Sequence, residues 1–206
     1  MSQESAGSAS SETEVEPRSE AYSWYVVGVL LVVYVFSFLD RSILNLMVDD
    51  LKIGLGIERD WEAAFLMGPA FAIFYTIFGI PFGRAADSGS RKHIIAFGLT
   101  VWSLMTFGCG FARHFWQMAL LRVGVGVGEA SLSPSAYSII TDSFDGKKLA
   151  RAIAVYSSGI YLGSGLAYMI GGPAVDMLRG TAPWQIPIVG AVPGWQKVFL
   201  IIGAPG

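Results

Sequence analysis

Apolar positions in this chain fall in long unbroken runs. Trp24 to Leu39 is sixteen residues without a charge, and comparable runs recur along the sequence. A soluble bundle helix would carry a polar stripe at helical spacing; the third and fifth runs show almost none. About 20 mostly apolar residues cross the hydrocarbon of a bilayer. The pattern therefore predicts spans at about 24–48, 61–82, 93–112, 115–141 and 152–175, with an incomplete sixth at 195–206 after a Pro/Gly-rich connection. Twelve residues rise only ~18 Å as a helix, short of the ~30 Å core, so the chain is expected to be a fragment or a truncated product.

Composition agrees. The chain is 53% hydrophobic and only 15% charged, with a mean hydropathy of +0.52, where soluble domains are about a quarter charged. Residues 1–22 differ: Ser, Glu and Ala dominate, with Glu4, Glu12, Glu14, Glu16 and Glu20 against Arg18. This predicts a disordered acidic tail, followed by a membrane helical domain over 23–206. A signal peptide would need a basic start and a shorter apolar stretch. The net charge of −2 offers no basic field for nucleic acid. Cys109 has no partner cysteine, and His93 and His114 stand alone, so neither a metal site nor a cofactor is expected. The spans hold no nucleophile–base pair, so an enzyme is not expected.

Loop charge sets orientation. Arg84, Arg91 and Lys92 lie between the second and third runs, and Lys147, Lys148 and Arg151 between the fourth and fifth. Those two short basic loops should be cytoplasmic, and the N-terminus with them. A bacterial inner membrane is the expected location.

Three places carry candidate chemistry. The connection Gly83-Arg84-Ala85-Ala86-Asp87-Ser88-Gly89-Ser90-Arg91-Lys92 is tight and basic, with one carboxylate. The fourth run holds Arg122 and Glu129, seven residues and thus about two turns apart on one face, and Pro134 should bend the helix beyond them. The first run holds Asp40 and Arg41. Ionised groups cost at least ~2.5 kcal/mol each at the centre of a membrane helix, so all four should face an interior. By rise per residue, Asp40 lies ~24 Å along an outward helix and Arg122 ~10 Å along an inward one. Their depths match, so they can pair, with Glu129 deeper and Arg41 its partner. Such a near-neutral set suits a proton relay or a headgroup site. Desolvation and a neighbouring arginine act on a carboxylate's proton in opposite senses, so conformational change can alter protonation. Ser133, Ser135, Tyr137 and Tyr156 either line a cavity or bond to backbone. Glycines four apart (Gly79/Gly83, Gly124/Gly128, Gly159/Gly163) suit close helix packing.

Gly83, Asp87, Arg91 and Lys92 match the G-x-x-x-D-x-x-x-R-[KR] loop of the major facilitator superfamily, which the chain resembles; Ser88 and Ser90 depart from it. Asp40-Arg41, Trp102 to Thr106, Arg122 through Glu129-Ala130 to Ser133-Pro134, Ser138 to Asp142 and Gly159 to Gly163 resemble its spinster branch. Gln196-Lys197 follows Trp195 where branch members often have Trp-Arg. The resemblance implies an all-α membrane protein: the N-terminal six-helix half of the fold, truncated in the sixth helix. It further implies a secondary transporter working by alternating access and coupled to protons, with protons and a small organic or lysolipid solute as its partners besides the bilayer and the missing C-terminal half. Asp40 and Glu129 become the proton-coupling candidates, Arg41 and Arg122 the charge-compensating or headgroup-binding ones. Gly83, Asp87, Arg91 and Lys92 form the cytoplasmic gating loop, with Asp87 the switch and the bases its partners. A channel or receptor, or a non-transporting structural fragment, are the alternatives.

Overall fold

The computed structural model describes residues 19–187 and 190–204. Its helices run in chain order: α1 (Glu20–Leu46), α2 (Val48–Leu55), α3 (Asp60–Met67), α4 (Pro69–Ser88), α5 (Arg91–Cys109), α6 (Phe115–Glu129), α7 (Leu132–Ser143), α8 (Gly146–Ser157) and α9 (Gly159–Leu166). A π-helical turn at Ala167–Gly171 leads into α10 (Gly172–Arg179). A small antiparallel hairpin follows, β1 (Trp184–Ile186) against β2 (Gly190–Val192), and then α11 (Gly194–Gly203). The hairpin falls in the connection that the sequence marks only as Pro/Gly-rich.

The boundaries have local causes. α1 starts four residues before the apolar run because Ser19 caps it, its hydroxyl accepting from the Tyr22 N–H at 3.3 Å, with Glu20 in the first turn. Residues 20–22 are thus helical, and the rest of the expected tail, 1–18, lies outside the described residues. The second run continues six residues past Phe82, because nothing breaks it before Gly89. Gly83, Arg84 and Asp87 are therefore the last turns of α4, not a loop, and only Gly89 and Ser90 connect α4 to α5. Gly68 separates α3 from α4 at φ −137°, just before Pro69; a proline disfavours helical geometry in the residue preceding it. The fourth run is two helices, α6 and α7, with the ladder interrupted at Ala130–Ser131. Pro134 lacks the N–H that would bond back to Ala130, and its ring crowds that carbonyl, so the interruption falls before the proline. Among the described residues, four helical stretches are long and apolar enough to cross a membrane: Glu20–Leu46, Asp60–Ser88, Arg91–Cys109 and Gly146–Arg179.

The main helix contacts are α5 and α4 against α6, α1 against α9, and α11 against α5. Ion pairs tie the two ends. At one, Lys148 meets Glu20 at 2.8 Å and Arg91 meets Asp142. At the other, Lys52 meets Asp60 at 2.7 Å and Arg179 meets Asp50 at 2.5 Å. The interior is mainly apolar but also holds charge, and the outer face is apolar. Asp40, Arg122 and Glu129 are buried, while Leu104, Leu120 and Tyr161 are more than half exposed. In lipid, outward apolar faces cost nothing and helices associate through close packing and polar contacts.

Candidate functional site

The buried charges form two ion pairs between the first and fourth runs. Arg122 Nη1 on α6 donates to Asp40 Oδ2 on α1 at 3.2 Å, and Thr106 Oγ1 on α5 donates to the same oxygen at 3.4 Å. About two turns further along α6, Glu129 Oε2 accepts from Arg41 Nε at 2.8 Å, Arg41 Nη2 at 2.5 Å and Ser37 Oγ at 2.5 Å. Asp40 and Arg41 are adjacent, so the helix turns ~100° between them and each side chain faces its own partner. Ser37 and Arg41 are four apart and share a face, with Arg41 Nη2 also 3.4 Å from Ser37 Oγ.

Glycines set the approach of α6. A Cβ at Gly126 would lie 2.6 Å from the Phe71 carbonyl oxygen on α4, and one at Gly128 would lie 2.6 Å from the Trp102 nitrogen on α5. The backbones of α4 and α5 therefore press on α6 beside Glu129, fixing where its carboxylate can point. Gly159 and Gly163 let α9 approach α1 in the same way, whereas a Cβ at Gly79 would meet nothing within 4 Å. The glycine spacing alone does not separate these cases.

Aromatic rings complete the site. The Arg41 guanidinium carbon lies 4.3 Å from the Phe71 ring centroid, 4.8 Å from Phe38 and 5.0 Å from Tyr75, and that of Arg122 lies 5.8 Å from Phe71. Phe71 thus serves both cations. Arg41 is a quarter exposed, while the other three charges are closed off. Asp40 Oδ1, Glu129 Oε1 and Arg122 Nε are enclosed and lack a hydrogen-bond partner among the described residues. The site is held together through only part of its bonding capacity, so it has room for a rearranged set of bonds.

The expected gating loop is arranged differently from its spacing. Arg91 pairs with Asp142 at the end of α7, and its Nε donates to the Ala86 carbonyl at 3.2 Å. Asp87 is exposed and makes no ion pair among the described residues, and Lys92 is exposed. The last turns of α4 stay helical, so Asp87 points away while Arg91, beyond the Gly89–Ser90 connection, reaches α7. A Cβ at Gly83 would meet Pro134 at 4.0 Å. Ser37, Thr106, Phe38, Phe71, Tyr75 and Asp142 are thus site residues that the charge pattern does not pick out. Ser37 had a signal in its spacing from Arg41; Phe71 had none, because its contact depends on how α4 meets α1. Among the described residues, no group of three His, Cys, Asp or Glu side chains converges as a metal site. His114 instead precedes α6, where Gln117 Oε1 accepts from the Arg113 and His114 N–H groups at 2.7 and 3.2 Å.

The family model described as Major Facilitator Superfamily matches residues 30–206. An "MFS-type efflux pump" of Mycolicibacterium smegmatis is 30% identical over 182 residues, 88% of this chain and 39% of that protein. The "Sphingosine-1-phosphate transporter SPNS2" of Xenopus tropicalis is 31% identical over 201 residues, 92% of this chain and 38% of that protein. A crystal structure of a bacterial homologue of the human lysosomal transporter Spinster, inward-facing and unoccupied, superposes with a TM-score of 0.80 at 35% identity, covering 91% of this chain and 41% of that one. The chain thus spans about two-fifths of the length of each relative. Its helical order, its intramembrane charges and these matches agree: the chain belongs to the Major Facilitator Superfamily, and is spinster-like within it.

Proposed function

We propose that this chain supplies the first half of a secondary active transporter, in which Asp40 and Glu129 exchange protons while Arg41 and Arg122 compensate their charge or meet an anionic or amphipathic organic solute. One observation carries the reading: Glu129 Oε2 takes three hydrogen bonds, two of them from Arg41, the one charged member of the set that is partly open. Adding a proton to Glu129 removes the anion that Arg41 holds. The rings of Phe38, Phe71 and Tyr75 keep the guanidinium in place, so its donors become available to an anion on the solute. Removing the proton restores the internal pair and displaces that anion. The Asp40–Arg122 pair sets the local field and holds α1 against α6.

The relatives support a membrane transport role, and the substrate in the name of the Xenopus relative is an amphipathic phosphoester. In this reading the bundle end with Arg91, Lys92, Lys147, Lys148 and Arg151 faces the cytoplasm, following the excess of basic residues there, in a bacterial inner membrane. Gly83, Asp87, Arg91 and Lys92, joined by Asp142, then form a gate that opens and closes at that face.

The test is uptake by proteoliposomes of the full-length protein, offered a labelled lysophospholipid and, separately, a labelled sugar acid. The expected result is saturable uptake of one of them, with exchange against unlabelled solute inside. Flux that neither saturates nor exchanges would point to a channel and overturn the reading.

A further inference from the structure

Four helices each contribute a tyrosine on the α8 side of the Arg41–Glu129 pair: Tyr34 on α1, Tyr75 on α4, Tyr137 on α7 and Tyr156 on α8. The Tyr34 and Tyr156 rings stack at 4.5 Å and 13°, and Tyr137 meets Tyr156 edge-on at 5.4 Å. Tyr75 OH lies 3.2 Å from Ser133 Oγ, and Tyr137 OH lies 3.5 Å from Ser157 Oγ. Ser133 is one helical turn beyond Glu129, and Tyr137 one turn beyond Ser133, toward the end that carries Arg91 and Glu20. Glu129 and Tyr156 are closed off and Tyr34 nearly so, while Tyr137 is 37% exposed.

Packing does not require these hydroxyls, since phenylalanine would stack equally well. The Tyr156 hydroxyl is enclosed without a hydrogen-bond partner among the described residues, as is Glu129 Oε1, and leaving such groups unbonded costs stability. Enclosed polar atoms of this kind are commonly met by buried water. A hydroxyl both donates and accepts. It can take a proton on its oxygen and release its own, and after the O–H turns back it is unchanged. No charge is left in the apolar interior, and no other reactant is needed.

We infer that this layer of tyrosines and serines is the proton route between Glu129 and the bundle end that carries Arg91, with Tyr156 as its enclosed link. The inference rests on the proton-coupled reading above. The charged groups around the donor end are Arg41, bonded to Glu129, and the Asp40–Arg122 pair beside it. Water bridges the spacings too long for direct transfer, such as the 3.5 Å between Tyr137 and Ser157.

The experiment compares wild type, Tyr156→Phe, Ser133→Ala, Glu129→Gln and the outward-facing control Tyr168→Phe in proteoliposomes of the full-length protein under an imposed pH gradient. Tyr156→Phe keeps the ring stack, and unchanged thermal unfolding verifies that it folds. Its maximal gradient-driven uptake should fall about a hundredfold or more, the scale of losing one proton-transfer partner. Its KM for the solute should stay the same, and deuterium oxide should slow it more than it slows wild type. Ser133→Ala should act in the same sense and Tyr168→Phe should match wild type. A raised KM at an unchanged maximal rate would make the layer a solute contact and overturn the inference. So would wild-type behaviour of Tyr156→Phe when Glu129→Gln has lost its gradient response, and that result would leave the proton-coupled reading intact. A wild type indifferent to the gradient would remove both.

Discussion

Asp40→Leu should destabilise the protein far more than the loss of one hydrogen bond would suggest. The substitution leaves Arg122, 1% exposed, with its charge intact and its carboxylate gone. Its remaining favourable neighbour is the Phe71 ring, at 5.8 Å. Breaking a buried pair from one side costs about 3–5 kcal/mol, or roughly a hundredfold to a few thousandfold in the folded-to-unfolded ratio at ~1.4 kcal/mol per decade. Replacing both residues, Asp40→Leu with Arg122→Met, removes the stranded charge as well. Buried pairs exchanged for apolar side chains of similar size are often neutral or better, and here Asp40 Oδ1 and Arg122 Nε already lack partners among the described residues. The double variant should therefore be more stable than Asp40→Leu alone, with a coupling of about 2–3 kcal/mol. Equilibrium unfolding of the full-length protein in bicelles measures all four corners of the cycle. A cost below ~1 kcal/mol for the single substitution, the range of a solvated ion pair, would refute the reasoning. So would a double variant less stable than either single one.

Other outcomes follow from the packing and the ends of the bundle. Gly126→Ala places a methyl 2.6 Å from the Phe71 carbonyl oxygen, so unfolding should show a loss of about 1–3 kcal/mol from overpacking, whereas Gly79→Ala, with open space around it, should be close to neutral. The Arg91–Asp142 pair is partly exposed, so Asp142→Asn should shift the equilibrium between open and closed states by only about 0–1 kcal/mol, read from the spacing of spin labels across that end; the exchanged pair Arg91→Asp with Asp142→Arg should recover most of the shift. Cys109 is enclosed, so a maleimide should leave it unmodified in the folded protein and label it after denaturation; rapid labelling without denaturant would contradict its placement.

Much of this architecture is legible in one dimension because a bilayer makes length and charge unusually informative. Runs of apolar residues locate the helices, and the rise per residue aligns Asp40 with Arg122 before any contact is seen, placing Glu129 deeper with Arg41 as its candidate partner. What escapes is whatever depends on how two helices meet. Phe71 reaches both arginines only because Gly126 brings α6 against its backbone. Asp142 becomes the partner of Arg91 because α4 remains helical through Ser88, while spacing in the sequence favours Asp87. α1 starts at Glu20, inside the polar stretch, because Ser19 followed by Glu20 is a capping signal. The interruption at Ala130–Ser131 precedes the proline that causes it, since the lost bond reaches one turn back.

The most direct test of proton coupling is solute uptake by proteoliposomes of the full-length protein under an imposed pH gradient, comparing wild type with Glu129→Gln and Asp40→Asn. The gradient should drive uptake by wild type above the equilibrium level, and both substitutions should abolish that accumulation while solute exchange persists. If the gradient has no effect, or if both variants accumulate solute as wild type does, the four intramembrane charges serve structure alone and do not couple protons to transport.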